Sequence, residues 1–139
     1  MILIKNGRLV DPLSKRDEVV DIVIEKDKIK EIGKNLNQDG FEYIIDATGC
    51  VVAPGLIDIH VHFRDPGFTY KEDIFSGAKA AAKGGFTTVV CMANTKPVVD
   101  NKETLKYILD KGKESDINVL QVSTVTKGLK GKELVDFDE

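Results

Sequence analysis

The feature that most constrains this chain is a change of rhythm at Pro54-Gly55. From there on, the apolar pattern alternates between strand and helix. "LIDIHVHF" reads as a strand with apolar residues at 56, 57, 59, 61 and 63, followed by the loop "RDPGFTYKED". Thr69 and Glu72 have capping-box spacing ahead of "DIFSGAKAAAKGG", an Ala-rich helix closed by Gly84-Gly85. "FTTVVCM" is a second, buried-type strand, and "ANTKPVVDN" is its loop. Asp100 and Glu103 open a second helix, "KETLKYILDKGKES", with Leu105, Ile108 and Leu109 on one face. "INVLQVS" is a third strand, "TVTKGLKGKE" a solvated loop, and "ELVDFDE" the expected start of another helix. Strand-helix alternation of this kind demands a parallel sheet with right-handed crossovers.

The residues before Pro54 read as β structure throughout. Asn6-Gly7 in "ILIKNGRLV" is a strong hairpin signal and predicts two short strands around it. Val20, Ile22 and Ile24 alternate with polar residues, Lys26-Asp27 turns the chain, and Ile29 and Ile32 follow. "FEYIIDATGCVVAP" predicts another pair of strands around Thr48-Gly49. Together they predict a small antiparallel sheet, buried on one face. The fold class is therefore α/β, with a boundary dividing residues 1–54 from 55–139.

At 139 residues the chain can bury a real core. Three strand-helix units do not close a parallel barrel, which takes roughly 250 residues. The expectation is an N-terminal piece of a larger enzyme, inactive by itself. Hydrophobic content of 42% and charged content of 31% are those of a globular protein. A net charge of -3 without a basic block argues against nucleic-acid binding. "MILIKNGRLV" lacks the features of a signal peptide, and there is no apolar run of about 18 residues to span a membrane. Cys50 and Cys91 are far apart and in no CxxC motif, which predicts reduced, buried thiols in a cytoplasmic protein.

His60 and His62 are the only histidines of the chain. In a regular strand Asp58, His60, His62 and Arg64 point one way, and Ile57, Ile59, Val61 and Phe63 point the other, toward the helices. Two imidazoles on adjacent positions of one face can reach a single metal ion, at ~2.0–2.1 Å for zinc. A bare HxH more often marks hydrogen-bonded core or rim histidines. Here the strand end, the Pro-Gly entry and the flanking Asp58 and Arg64 favour a metal. A catalytic zinc takes at least three protein ligands, and no further histidine is present. Arg64 follows the first strand and Asn94, in "CMANT", follows the second, so both rise from the same rim of a parallel sheet. A guanidinium beside a carboxamide suits a planar carboxylate. A surface ion pair for Arg64 and a turn role for Asn94 are the alternatives.

"VVAPGLIDIHVHFRDPGFTYKEDIFSGAKAAAKGGFTTVVCMANTKP" resembles the start of the amidohydrolase barrel of dihydroorotases, and "TKGLKGKEL" is similar to their type I, bacterial class. HVHFRDPG together with MANT is far more specific than HxH alone, although Ala93 stands where the family pattern has proline. The resemblance implies a metal-dependent (β/α)8 barrel, of which residues 55–139 are the first three βα units. Residues 1–54 would be strands of a small accessory β-sandwich domain. It implies reversible cyclisation of N-carbamoyl-L-aspartate to L-dihydroorotate, in pyrimidine synthesis. It implies one or two Zn2+ ions with His60 and His62 as ligands, and substrate carboxylate contacts from Arg64 and Asn94. Asp58 would be a supporting group behind the ligands. The remaining ligands and the general acid/base aspartate would lie beyond residue 139. A homodimer and an aspartate transcarbamoylase partner stay open. So do two rival readings: another cyclic amidohydrolase (allantoinase, or dihydropyrimidinase/hydantoinase), and a non-catalytic homologue that partners aspartate transcarbamoylase.

Overall fold

Asn6-Gly7 does not turn the chain back. In the computed structural model, which describes residues 1–136, strand β1 (Ile2–Asp11) runs straight through it. β2 (Arg16–Glu25) pairs with it antiparallel, and the register skips between Ile4↔Ile22 and Gly7↔Val20. Lys5 and Asn6 thus oppose the single residue Asp21, which is a β-bulge. Asn6 adopts a φ of 58°, and its N–H donates to Asp21 Oδ1 at 2.9 Å. The other carboxylate oxygen of Asp21 accepts from Leu36 N–H, also at 2.9 Å. The hairpin expectation is therefore corrected: an Asn that tolerates left-handed backbone serves a bulge as readily as a turn. The real reversal comes at residues 12–15, where Asp11 accepts the N–H groups of Leu13 and Ser14.

β3 (Lys28–Gly33) returns along β2 after the Lys26-Asp27 turn, as expected. β4 (Tyr43–Asp46) and β5 (Val51–Val52) both pair with β1, and both run parallel to it. The sheet is therefore mixed, not antiparallel, because the chain crosses back over residues 34–42 and enters β4 from the same end as β1. Leu9, Val20 and Ile22 are buried on one face, with Ile4, Ile24, Ile32 and Val52 packed around them. This sheet makes up one of two compact units, Met1–Pro54; the other begins at Gly55.

The second unit is the alternating βαβαβ segment. β6 (Leu56–Val61), β7 (Phe86–Cys91) and β8 (Asn118–Gln121) form a parallel sheet in that order. α1 (Ile74–Lys83) and α2 (Lys102–Gly112) connect them. The core joins Phe63, Ile74, Ala78, Val89, Cys91, Val99, Ile108 and Val119. Gly77 lets α1 lie directly on Phe63, since a Cβ there would sit 2.4 Å from the ring. Both helices start where the sequence places them, but on other caps. Asp73, not Thr69, caps α1 by a capping box with Ser76, and Asn101, not Asp100, caps α2. Any short polar side chain with a free N–H three residues ahead can cap, so several candidates lay within one turn.

The helix expected from Glu133 is not formed in the described residues; Leu134 instead bridges to Thr126. Residues 137–139 of that expectation lie outside the described residues. Cys91 is buried, and burial pushes its thiol up to about 11. Cys50, expected to be buried, is exposed in the short loop before β5; both cysteines are free. No helix among the described residues is long and apolar enough to cross a membrane.

Candidate active site

The site forms where β6 loses its regularity. Asp58 pairs with Val89, but the next pair is Val61 with Cys91. Ile59 and His60 therefore oppose only Val90, which makes a second bulge. A bulge breaks the two-residue repeat, and this corrects the expectation of one face for all four residues. Asp58 falls in phase with its partner Val89, which is buried on the helix side; a cavity of about 300 Å³ there is lined by Asp58, Val61, Phe63 and Val89 and also reached by His62. Its carboxylate oxygen accepts the His60 N–H at 2.9 Å and so holds the bulged backbone. Ile57 and Ile59 do not meet the helices either: they are 64% and 73% exposed. Val61 and Phe63 do pack toward the core, as expected.

Past the bulge the two imidazoles come together. Their ring centroids are 5.2 Å apart with an interplanar angle of 62°. Two imidazoles bound to one tetrahedral zinc at ~2.0–2.1 Å would have centroids about 5 Å apart, a spacing that edge-to-face ring pairs also take. His62 lies one residue beyond β6. Its Nδ1 is 2.9 Å from Asn94 Oδ1, three residues beyond β7. With the carboxamide oxygen as acceptor, the bond takes its proton from Nδ1, the arrangement that would leave Nε2 of a neutral imidazole with its lone pair. Among the described residues there is no group of three or more His, Cys, Asp or Glu side chains placed to hold a metal.

Arg64 stands on the same rim, half-buried, with its carbonyl accepting from Phe68 N–H at 2.8 Å. Its guanidinium makes no ion pair among the described residues. Asn94 lies on the same rim, and the structure brings its carboxamide to His62.

Sequence reasoning passed over Asp65. Its side chain is wholly buried, and it accepts from Tyr107 Oη at 3.0 Å and Lys111 Nζ at 2.7 Å. These bonds tie the loop that carries Arg64 to α2. The hydrogen bond to Asp65 holds the Lys111 ammonium well above the usual lysine range. Lys111 also lies over the rings of Tyr107 and Phe75, at 5.0 and 5.8 Å. At Gly67, with φ of 94°, the same loop meets the next one so closely that a Cβ would sit 2.1 Å from Lys96 O. Pro66 O accepts Lys96 N–H at 3.0 Å. The i, i+4 spacing of Tyr107 and Lys111 was visible, but nothing local pointed to their partner 42 residues upstream.

Residues 49–139 match the dihydro-orotase-like family model. The chain is 64% identical to a dihydroorotase of Clostridioides difficile and 59% identical to one of Clostridium acetobutylicum, over 99% of its own length in both cases. It spans about a third of the length of these curated relatives, 33% and 32%. Among solved structures it resembles the L-hydantoinase (dihydropyrimidinase) of Arthrobacter aurescens. There the TM-score is 0.73 and the identity 25%, covering 90% of this chain and 28% of that one.

Proposed function

The chain belongs to the dihydroorotase-like family, and on that premise we propose that it carries the first metal ligands and the carboxylate-binding residues of a dihydroorotase. The reaction is reversible cyclisation of N-carbamoyl-L-aspartate to L-dihydroorotate, in the cytoplasm. The observation that carries the reading is the His60–His62 pair at 5.2 Å with Asn94 on His62; Arg64 follows β6 at the same end of the sheet. In this reading the βαβαβ unit is the opening of a (β/α)8 barrel, whose active site gathers at the carboxyl ends of the strands. The mixed sheet of residues 1–54 is part of a small β-sandwich domain.

His60 and His62 would hold zinc, His62 through Nε2. Zinc, when bound, supplies Lewis acidity for opening and closing the cyclic amide. The chain's own residues do the positioning. Arg64 offers the substrate carboxylate a charged fork that bonds it in one plane. Asn94 adds amide donors from the neighbouring loop. Asp58 fixes the backbone of His60, and Asp65 braces the loop under Arg64 through Tyr107 and Lys111. Holding the carboxylate at two points on adjacent loops orients the ring relative to the metal ligands, which lowers the entropic part of the barrier.

The hydantoinase reading has the structural likeness behind it. It is not favoured, because identity is far higher to the dihydroorotases, and a hydantoin or dihydropyrimidine ring lacks a carboxylate for Arg64 to bind. The test is Arg64→Met in the full-length enzyme. Loss of a charge-assisted bond should cost about 1.5–3 kcal/mol, roughly a tenfold to hundredfold fall in kcat/KM on dihydroorotate. Zinc content should hold, and an uncharged cyclic amide should lose much less. Wild-type kinetics on dihydroorotate would refute the carboxylate clamp.

A further inference from the structure

We propose that Asn94 is a positioning residue for the metal ligand His62: it selects the imidazole tautomer that presents Nε2, and in doing so turns its own NH2 group outward. This rests on the reading of His62 as a ligand and adds to Asn94 a role beyond substrate contact. One contact and two general properties of imidazole carry it. The Asn94 Oδ1 to His62 Nδ1 distance is 2.9 Å. Free imidazole side chains in water favour the opposite tautomer, with the proton on Nε2, so a neutral His62 needs an acceptor at Nδ1 to expose Nε2. Ligating histidines ordinarily have such an acceptor behind them, and among the described residues Asn94 is the group that supplies it.

The carboxamide can serve both partners because its two ends differ. Oδ1 accepts the Nδ1 proton, which leaves Nδ2 with two donors and no charge. Those donors suit a carboxylate, whereas an oxygen turned outward would repel one. One side chain thus links the ligand to the carboxylate site. Its backbone is placed to do so: Ala93 O accepts Val99 N–H at 3.1 Å, and Thr95 Oγ1 donates to Pro97 O at 2.7 Å, so the residues on both sides of Asn94 are tied into the same loop.

The experiment reads the tautomer directly. Metal-free full-length protein with 15N-labelled histidine is examined by long-range 1H–15N correlation across a pH series, and the tautomer is read on the alkaline plateau of the 15N shifts. Wild-type His62 should show the proton on Nδ1. Asn94→Ala should return it to Nε2 and weaken zinc binding about 10–100-fold in chelator competition. Asn94→Asp should keep the Nδ1 proton and the zinc, because a carboxylate accepts the same bond. Its KM for dihydroorotate should rise while zinc content stays constant, because it now opposes the substrate carboxylate. A proton on Nε2 in the wild type, or an Asn94→Ala variant with unchanged tautomer and zinc affinity, overturns the inference. If the tautomer behaves as stated but Asn94→Asp leaves KM unchanged, the inference stands and the dihydroorotase reading of the carboxylate site fails.

Discussion

Replacing Lys111 by methionine tests how firmly the Arg64 loop is anchored. Met keeps the apolar stem against Tyr107 and Phe75 but removes the ammonium 2.7 Å from Asp65. Asp65 is 1% exposed, so its carboxylate would be left with the Tyr107 hydroxyl as partner and no counter-charge. Removing one partner of a buried ion pair costs about 3–5 kcal/mol. The Lys111 side chain is 31% exposed, so water already shares in this pair and the lower end applies, about 3 kcal/mol. Asp65→Asn should cost less, about 1–2 kcal/mol, because the amide still accepts from Tyr107 and the freed ammonium can swing to solvent. In the Asp65→Asn background, Lys111→Met should then cost under about 1 kcal/mol, a coupling of roughly 2 kcal/mol. The assay is urea unfolding of the four proteins, with slopes compared so that only stability is read. If Lys111→Met unfolds within about 0.5 kcal/mol of wild type, or costs the same in both backgrounds, the buried carboxylate is not held by this lysine.

The order of elements from Leu56 onward was legible because each strand and helix carries its own period and its own stop signal. Gly84-Gly85 ends α1, and Leu105, Ile108 and Leu109 mark the inner face of α2. What escaped were features set by residues distant in sequence. Asn6-Gly7 has the local chemistry of both a hairpin and a bulge; the carboxylate of Asp21, fifteen residues away, selects the bulge by accepting the Asn6 N–H. The direction of β4 depends on how the chain crosses over residues 34–42, which no local pattern records. The same holds at the site. His60, His62, Arg64 and Asn94 could be proposed from type and spacing, because strand ends and adjacent loops put them on one rim whatever the detail. The phase of Asp58 could not, since it turns on one unpaired residue between Asp58↔Val89 and Val61↔Cys91. Nor could the His62–Asn94 bond, which requires the two loops to be in register.

Three further outcomes follow from the packing. Gly67→Ala should cost at least about 2 kcal/mol, since it adds left-handed strain at φ of 94° to a Cβ placed 2.1 Å from Lys96 O; a melting curve superimposable on wild type would refute the close loop contact. Native-state labelling with a thiol reagent should modify Cys50 and spare Cys91 until the protein unfolds; peptide mapping that finds both labelled at equal rates would contradict the burial of Cys91. The last concerns the pH dependence of stability. Burial raises the Cys91 thiol from 9.0 to about 11. Above pH 9 the unfolded chain therefore releases this proton while the folded chain keeps it, so the unfolded state binds fewer protons and stability falls as pH rises. The contribution is full below about pH 9 and is lost as pH climbs through about 11. At about 1.36 kcal/mol per pH unit, the loss over that window is on the order of 2–3 kcal/mol. Cys91→Ala lowers stability at every pH by leaving space in the core, so the diagnostic is the slope and not the level. Urea unfolding between about pH 8 and pH 11 should give a steeper decline for wild type than for the variant. Parallel curves would mean that Cys91 ionises as readily folded as unfolded, and that its burial in the core is not maintained in solution.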